Sequence, residues 1–267
     1  MRMTRLRLIA LATPLLGLAG VTVTATPATA AGPVYAALGD SYSSGVGTNN
    51  YTAESGGCRR SPQSAAALWA SQHGAAFTFA ACSGARTGDV LNNQLGGLTA
   101  ATTLVSISVG GNDAGFTTVL ENCILQSNAG CKSAVDNAKA YAQNTLPGLL
   151  DNVYNAIRAH APNARVVVLG YPRFYQLGGS CILGLSDTKR GYINGGADTL
   201  DTVTQAAAGR HGFAFADVRA NFAPHEICSS GTSWLHSVDF SHLDDSYHPT
   251  TAGYQSGYLP ALNAVTG

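Results

Sequence analysis

Five short, nearly continuous apolar runs constrain this chain most strongly: Val34–Leu38, Phe77–Ala81, Leu104–Val109, Val166–Leu169 and Phe213–Phe215. Only Leu104–Val109 alternates, through Ser106 and Ser108. A strand with one face in water shows polar residues at every second position; an unbroken apolar run marks a strand covered on both faces. Such strands form parallel sheets, which need helical crossovers. Helix-length stretches do separate the runs. Ser61-Pro62 reads as an N-cap and first-turn proline opening a helix that passes through Ala65, Leu68 and Trp69 and stops at Gly74. Ala134 to His160 carries a longer helical pattern interrupted at Pro147, and a last helix runs from Thr250 to Ala261 behind Pro249. The alternation predicts an α/β fold, a three-layer α/β/α sandwich around a central parallel five-stranded sheet.

The N-terminus sets the expected compartment. Residues 1–30 carry Arg2, Arg5 and Arg7, an apolar run from Leu8 to Val23 and a closing Ala28-Thr29-Ala30. A basic head, a short apolar stretch and an A-x-A site together predict a secretory signal peptide. Thr13, Pro14, Gly17 and Gly20 break the run, which is short of the roughly 20 residues of a membrane-spanning helix. Residues 31–267 are then expected to form a single domain. Removing the three arginines from fifteen basic residues leaves twelve against fifteen acidic, a formal charge of −3 with no polybasic tract. Nucleic acid is therefore not an expected partner, because its capture depends on clustered Lys and Arg.

Cys58, Cys82, Cys123, Cys131, Cys181 and Cys228 make an even count. In an exported chain this predicts three disulfides, with the pairing left open. No C-x-x-C pair occurs, so zinc is not expected. The stretches from Gly45 to Arg60 and from Tyr171 to Asp187 read as long loops, each with a cysteine that could pin it.

In open parallel sheets, ligands bind beyond the carboxyl ends of the strands. Gly39-Asp40-Ser41-Tyr42 follows the first run, Cys82-Ser83-Gly84 the second, and Gly110-Gly111-Asn112-Asp113 the third. Asp245-Ser246-Tyr247-His248-Pro249 precedes the last helix. Four distant segments thus bring a hydroxyl, a glycine amide, a carboxamide and an imidazole to one rim, which is the set acyl transfer requires. A serine hydroxyl becomes a useful nucleophile when an adjacent base takes its proton. The tetrahedral intermediate also needs fixed N–H donors aimed at its oxyanion.

These four blocks, in this order, resemble the GDSL, or SGNH, hydrolases, and in particular the secreted actinobacterial lipases and phospholipases among them. The resemblance extends from Tyr35 to Tyr254. It implies a flavodoxin-like fold, Ser41 as nucleophile, His248 as general base, and an oxyanion hole of the Ser41 and Gly84 amides with the Asn112 side chain. It implies the pairs Cys58–Cys82, Cys123–Cys131 and Cys181–Cys228. For the group orienting His248 it offers two candidates, the Asp245 carboxylate, which is favoured, and the Ser246 backbone carbonyl. The implied activity is hydrolysis of lipid or simple esters by a secreted, monomeric enzyme, without cofactor or metal.

Asp239-x-x-His242 repeats the Asp-x-x-His pattern, but Pro249 and the helix after it favour His248. Asp40 and Asp113 read as turn or cap residues, and His73, His160, His211, His225 and His236 as surface or helix-end residues. Tyr171, Phe174, Tyr175, Leu177, Ile182 and Leu183 form an apolar loop that could seat an acyl chain. No G-x-S-x-G, G-x-x-x-x-G-K-[ST], H-E-x-x-H or G-x-G-x-x-G occurs. The alternatives are a phospholipase A1-type or carbohydrate acetyl esterase using the same residues, and a non-catalytic lipid- or carbohydrate-binding module.

Overall fold

Valine-rich strands place the sheet at the centre. A computed structural model describes residues 32–267 apart from 180, 182, 183 and 240. The expected signal peptide lies outside the described residues. Five strands, β1 (Val34–Gly39), β2 (Ala76–Phe79), β3 (Leu104–Ser108), β4 (Arg165–Leu169) and β5 (Ala214–Ala216), pair in parallel in the order β2-β1-β3-β4-β5. In the register, Tyr35 faces Phe77 on one side and Leu104 on the other, and Gly39 faces Ser108. The five apolar runs are these five strands, within two residues at each end.

The helices of the described residues are α1 (Ser41–Ser44), α2 (Ala65–Gln72), α3 (Thr87–Asn93), α4 (Phe116–Leu125), α5 (Asn128–Asn144), α6 (Leu146–His160), α7 (Asp187–Arg210), α8 (Arg219–Phe222) and α9 (Leu259–Thr266). A π-helical segment, Gly253–Tyr258, leads into α9. One face of the sheet carries α2 and α9; the other carries α3, α6 and α7, with α4 and α5 packed against α7. On α6, Leu146, Leu150, Val153, Tyr154 and Ile157 are buried at helical spacing. Truncating a core leucine such as Leu150 to alanine costs about 2–5 kcal/mol.

Three local expectations change. The predicted helix at Ser61-Pro62 starts later, because Ser61 is committed elsewhere: its Oγ accepts from Gln63 N at 2.9 Å and from Thr48 Oγ1 at 2.8 Å. Ser64 caps α2 instead, accepting from Ala67 N. Pro147 divides the long pattern into two helices by sitting in the first turn of α6, where its missing N–H leaves no bond unmade. The 24-residue α7 gives little sequence signal, since Arg190, Asn194, Asp201 and Thr204 interrupt its buried face.

Candidate active site

The order of the strands reverses around β1 and β3, so the crevice beyond their carboxyl ends is the expected ligand position. Gly39 ends β1 with φ at +113°, and a Cβ there would lie 2.1 Å from the Ser108 carbonyl oxygen. Only glycine lets the two strand ends approach so closely and turn. Gln94 closes the turn, accepting from Gly39 N at 2.6 Å and donating to Gly39 O at 2.9 Å.

Asp40 is the N-cap of α1, taking the Tyr42 N–H at 3.0 Å. Its carboxylate also accepts from Ser108 Oγ at 2.7 Å and from the Tyr171 phenol at 2.5 Å. Burial pushes the Asp40 carboxyl up to about 6, and these hydrogen bonds oppose the rise. Asp40 therefore supports the turn, as the sequence suggests. Tyr171 was expected in an acyl-binding loop; it also braces Asp40. Ser108, Gln94 and Tyr171 are supports that no sequence motif announces.

Ser41, the first residue of α1, has its Oγ 2.7 Å from His248 Nε2. The imidazole comes from a well-held segment: His236 N donates to His248 O at 2.9 Å and Tyr247 N to His236 O at 2.9 Å. Tyr42 donates its phenol proton to Tyr247 O at 2.6 Å, and its ring lies 5.2 Å from the imidazole. Packing around the ring pushes the His248 pKa down from 6.5 to about 4, with the Asp245 charge opposing the fall. A neutral imidazole at pH 7 is the form that accepts a proton.

Neither candidate for the orienting group makes a standard hydrogen bond to the imidazole. The Asp245 carboxylate accepts from the Tyr51 phenol at 3.1 Å and makes no hydrogen bond to the ring. His248 Nδ1 is buried without a hydrogen bond of standard geometry. The Asp245 charge and, less strongly, the Ser246 backbone both favour the protonated ring. Asp245 precedes the short Ser246-Tyr247 link, and Tyr247 takes φ of +65°. The rival His242 lies on the surface, 3.3 Å from Asp239. His236 is not a simple surface residue: its Nε2 lies 2.7 Å from Gly47 O, tying the Gly45–Arg60 loop to the His248 segment.

The expected oxyanion donors sit on two braced loops. Gly84 has φ of +79° in open space, so its backbone conformation, not crowding, demands glycine. Asn112 Nδ2 donates to Ala85 O at 3.0 Å, which leaves its second hydrogen for a ligand. Asp113 accepts from Thr87 N at 3.1 Å and from Thr87 Oγ1 at 2.6 Å, cross-linking the same loops. Disulfide bonds join Cys58–Cys82, Cys123–Cys131 and Cys181–Cys228. The first lies beside Gly84, with Ser83 N donating to Cys58 O at 3.1 Å.

Ser41 and Asn112 stand between two pockets. One, narrow and apolar, runs between α4, α5 and α7 and is lined by Ala138, Ala142, Phe174, Ile193 and Leu200 among others. The other, wider and more polar, is lined by Gly84, His248, Arg59, Glu121 and Asp244. Of the predicted acyl loop, Tyr171 and Phe174 reach the first pocket. Tyr175 instead bonds the Tyr247 phenol at 2.6 Å, Leu177 is exposed, and Ile182 and Leu183 lie outside the described residues.

Comparison with known proteins gives the same family as the motifs. A profile of the GDSL-like Lipase/Acylhydrolase family matches residues 37–256. The chain is 54% identical to Lipase 1 of Streptomyces coelicolor, over 98% of this chain and 100% of that one. It is 53% identical to a lipase of Streptomyces rimosus, over 96% of this chain and 95% of that one. The crystal structure of the extracellular lipase from Streptomyces rimosus superposes with a TM-score of 0.84 at 55% identity, covering 87% of this chain and 99% of that one. That of phospholipase A1 from Streptomyces albidoflavus NA297 gives 0.85 at 56%, covering 88% and 99%. The sheet order, the Ser41–His248 contact and these likenesses agree: the chain belongs to the GDSL-like lipase/acylhydrolase family.

Proposed function

We propose that this protein is a secreted lipase or esterase that cleaves acyl esters through an acyl-serine intermediate on Ser41. The observation that carries this reading is the 2.7 Å contact between Ser41 Oγ and His248 Nε2 at the mouth of an apolar pocket. Ser41 Oγ attacks the ester carbonyl while its proton passes to His248 Nε2. The amides of Ser41 and Gly84 and the Asn112 side chain receive the developing oxyanion. As the intermediate collapses, the imidazolium protonates the departing alcohol. Water, deprotonated by the same imidazole, then releases the acid and restores the serine.

The narrow pocket suits the acyl chain, since its lining is almost wholly apolar and Ser41 stands at one end. That supports a lipid ester over an acetylated carbohydrate, whose acyl group would leave the pocket unfilled. Export is supported by three disulfides, which persist outside the cytosol.

The test is a p-nitrophenyl ester series from acetate to decanoate, run beside a Ser41→Ala variant. Medium chains should be preferred, and the variant should lose nearly all turnover and all labelling by a fluorophosphonate. Normal turnover by Ser41→Ala would refute the nucleophile, and a preference confined to acetate would refute the lipid substrate.

A further inference from the structure

With the acyl chain assigned to the narrow pocket, the alcohol half of the ester must leave through the wider one. Among the described residues lining that side, Arg59 is the one Lys or Arg. Its position is fixed: it follows Cys58, which is bonded to Cys82, and its backbone is held at φ of +49° with its N–H donated to Gly56 O. Its guanidinium lies 6.0 Å from the Tyr51 ring centroid and donates to the Asp244 carboxylate at 2.5 Å.

That ion pair is a weak tether. The Asp244 side chain is 72% exposed, and ion pairs at such sites contribute only about 0–1 kcal/mol. Asp244 also engages a single guanidinium nitrogen, whereas the planar fork offers five N–H donors and matches a phosphate bidentately. A phosphate can therefore take the guanidinium from Asp244 or share it. The other carboxylate on this side, Glu121, would face the cationic end of a zwitterionic headgroup. Leu243, 63% exposed, adds an apolar edge to the same mouth.

We infer that Arg59 is a specificity-determining residue that binds the phosphate of a zwitterionic glycerophospholipid on the leaving-group side of Ser41. The inference rests on ester hydrolysis at Ser41, and it names the alcohol that this hydrolysis releases: a glycerol that keeps its second acyl chain and its phosphodiester. No bond to phosphorus is made or broken. Arg59 holds the headgroup while the carboxylic ester is cut.

The experiment compares two soluble substrates that differ only in the headgroup, dihexanoylphosphatidylcholine below its micelle concentration and 1,2-dihexanoylglycerol. The readout is the ratio of their kcat/KM values. Arg59→Gln should lower that ratio about tenfold, mainly through KM on the phospholipid, because a charge-assisted hydrogen bond is lost. Arg59→Lys should recover part of it. Asp244→Asn, which frees the guanidinium, should raise the ratio above that of the unaltered protein, and this keeps the inference exposed even if Arg59 variants fold poorly. A ratio that changes less than threefold in Arg59→Gln, or that falls in Asp244→Asn, overturns the inference. If the unaltered protein hydrolyses the diacylglycerol while these ratios stay flat, only the headgroup site is lost. If it hydrolyses neither substrate and Ser41 resists a fluorophosphonate, the ester-hydrolase reading falls as well.

Discussion

Replacing both Cys58 and Cys82 by alanine should weaken the fold and slow the reaction, whereas loss of a disulfide remote from the oxyanion donors should do only the first. Cys58 and Cys82 are 24 residues apart, and the Cys123–Cys131 pair 8 apart. By loop-closure entropy, opening the first loop costs about 3.5 kcal/mol and the second about 2.6 kcal/mol. For a domain of this size each kcal/mol lowers Tm by about 2–4 °C, so the expected falls are about 7–14 °C and 5–10 °C. The kinetic effect follows from position. Cys82 precedes Ser83-Gly84, and the disulfide, the Ser83 N–H to Cys58 O bond and a long 3.4 Å bond from Arg60 Nη1 to Ala81 O fasten this end of the loop to the chain carrying Arg59. Full loss of one oxyanion donor costs about 10²–10³ in kcat. A loosened amide that still visits its position should cost about tenfold, the lower part of that scale. The assay is kcat on p-nitrophenyl butyrate at 20 °C, below both melting transitions, with Tm read by circular dichroism. The reasoning fails if the Cys58/Cys82 variant melts lower yet keeps the kcat of the unaltered protein. It fails equally if the Cys123/Cys131 variant loses as much kcat.

Three further outcomes are expected. Asn112→Ala should lower kcat by about 10²–10³ with little change in KM, as the proposed oxyanion role of the side chain requires; a change confined to KM would count against that role. Because burial holds His248 near 4 rather than 6.5, the neutral base persists well below pH 6.5, so kcat/KM should stay level through that pH and halve near pH 4. The same sign governs stability: the folded protein binds His248's proton less readily than the unfolded chain, so this contribution is complete above pH 6.5 and is lost as pH falls through about 4. An acid limb centred at 6.5 would contradict the desolvated ring. Ala138→Phe, on the α5 side of the narrow pocket, should lower the octanoate-to-acetate ratio of kcat/KM at least about tenfold, and an unchanged ratio would place the acyl chain elsewhere.

The sheet was legible because burial on both faces removes polar residues from β1 and β4, a signal each strand carries alone. Ser41, Gly84, Asn112 and His248 stand out as candidates for a similar reason, since each lies in a short block immediately after a strand or before the last helix. What stayed hidden depends on distant pairings. Nothing near Tyr171 indicates that its phenol will cap Asp40, 131 residues away, or that Gln94 will bridge Gly39. Nothing near Asp245 indicates that its carboxylate will accept from the Tyr51 phenol, 194 residues away. The positive φ of Tyr247 has no residue signature either. The long α7 has a faint period in the sequence because its buried face mixes Ile193, Ala197 and Leu200 with Arg190, Asn194, Asp201 and Thr204.

The Asp40–Tyr171 hydrogen bond divides the narrow pocket into walls of different mutability, since both residues line it as well as supporting the serine turn. Changes on the α5 and α7 side, at Ala138 or Gly196, alter only the room offered to a substrate tail. Changes at Tyr171 remodel that room and unseat the nucleophile together. A lineage or an engineer seeking new chain-length selectivity would therefore find one half of the cavity open to variation and the other half tied to turnover.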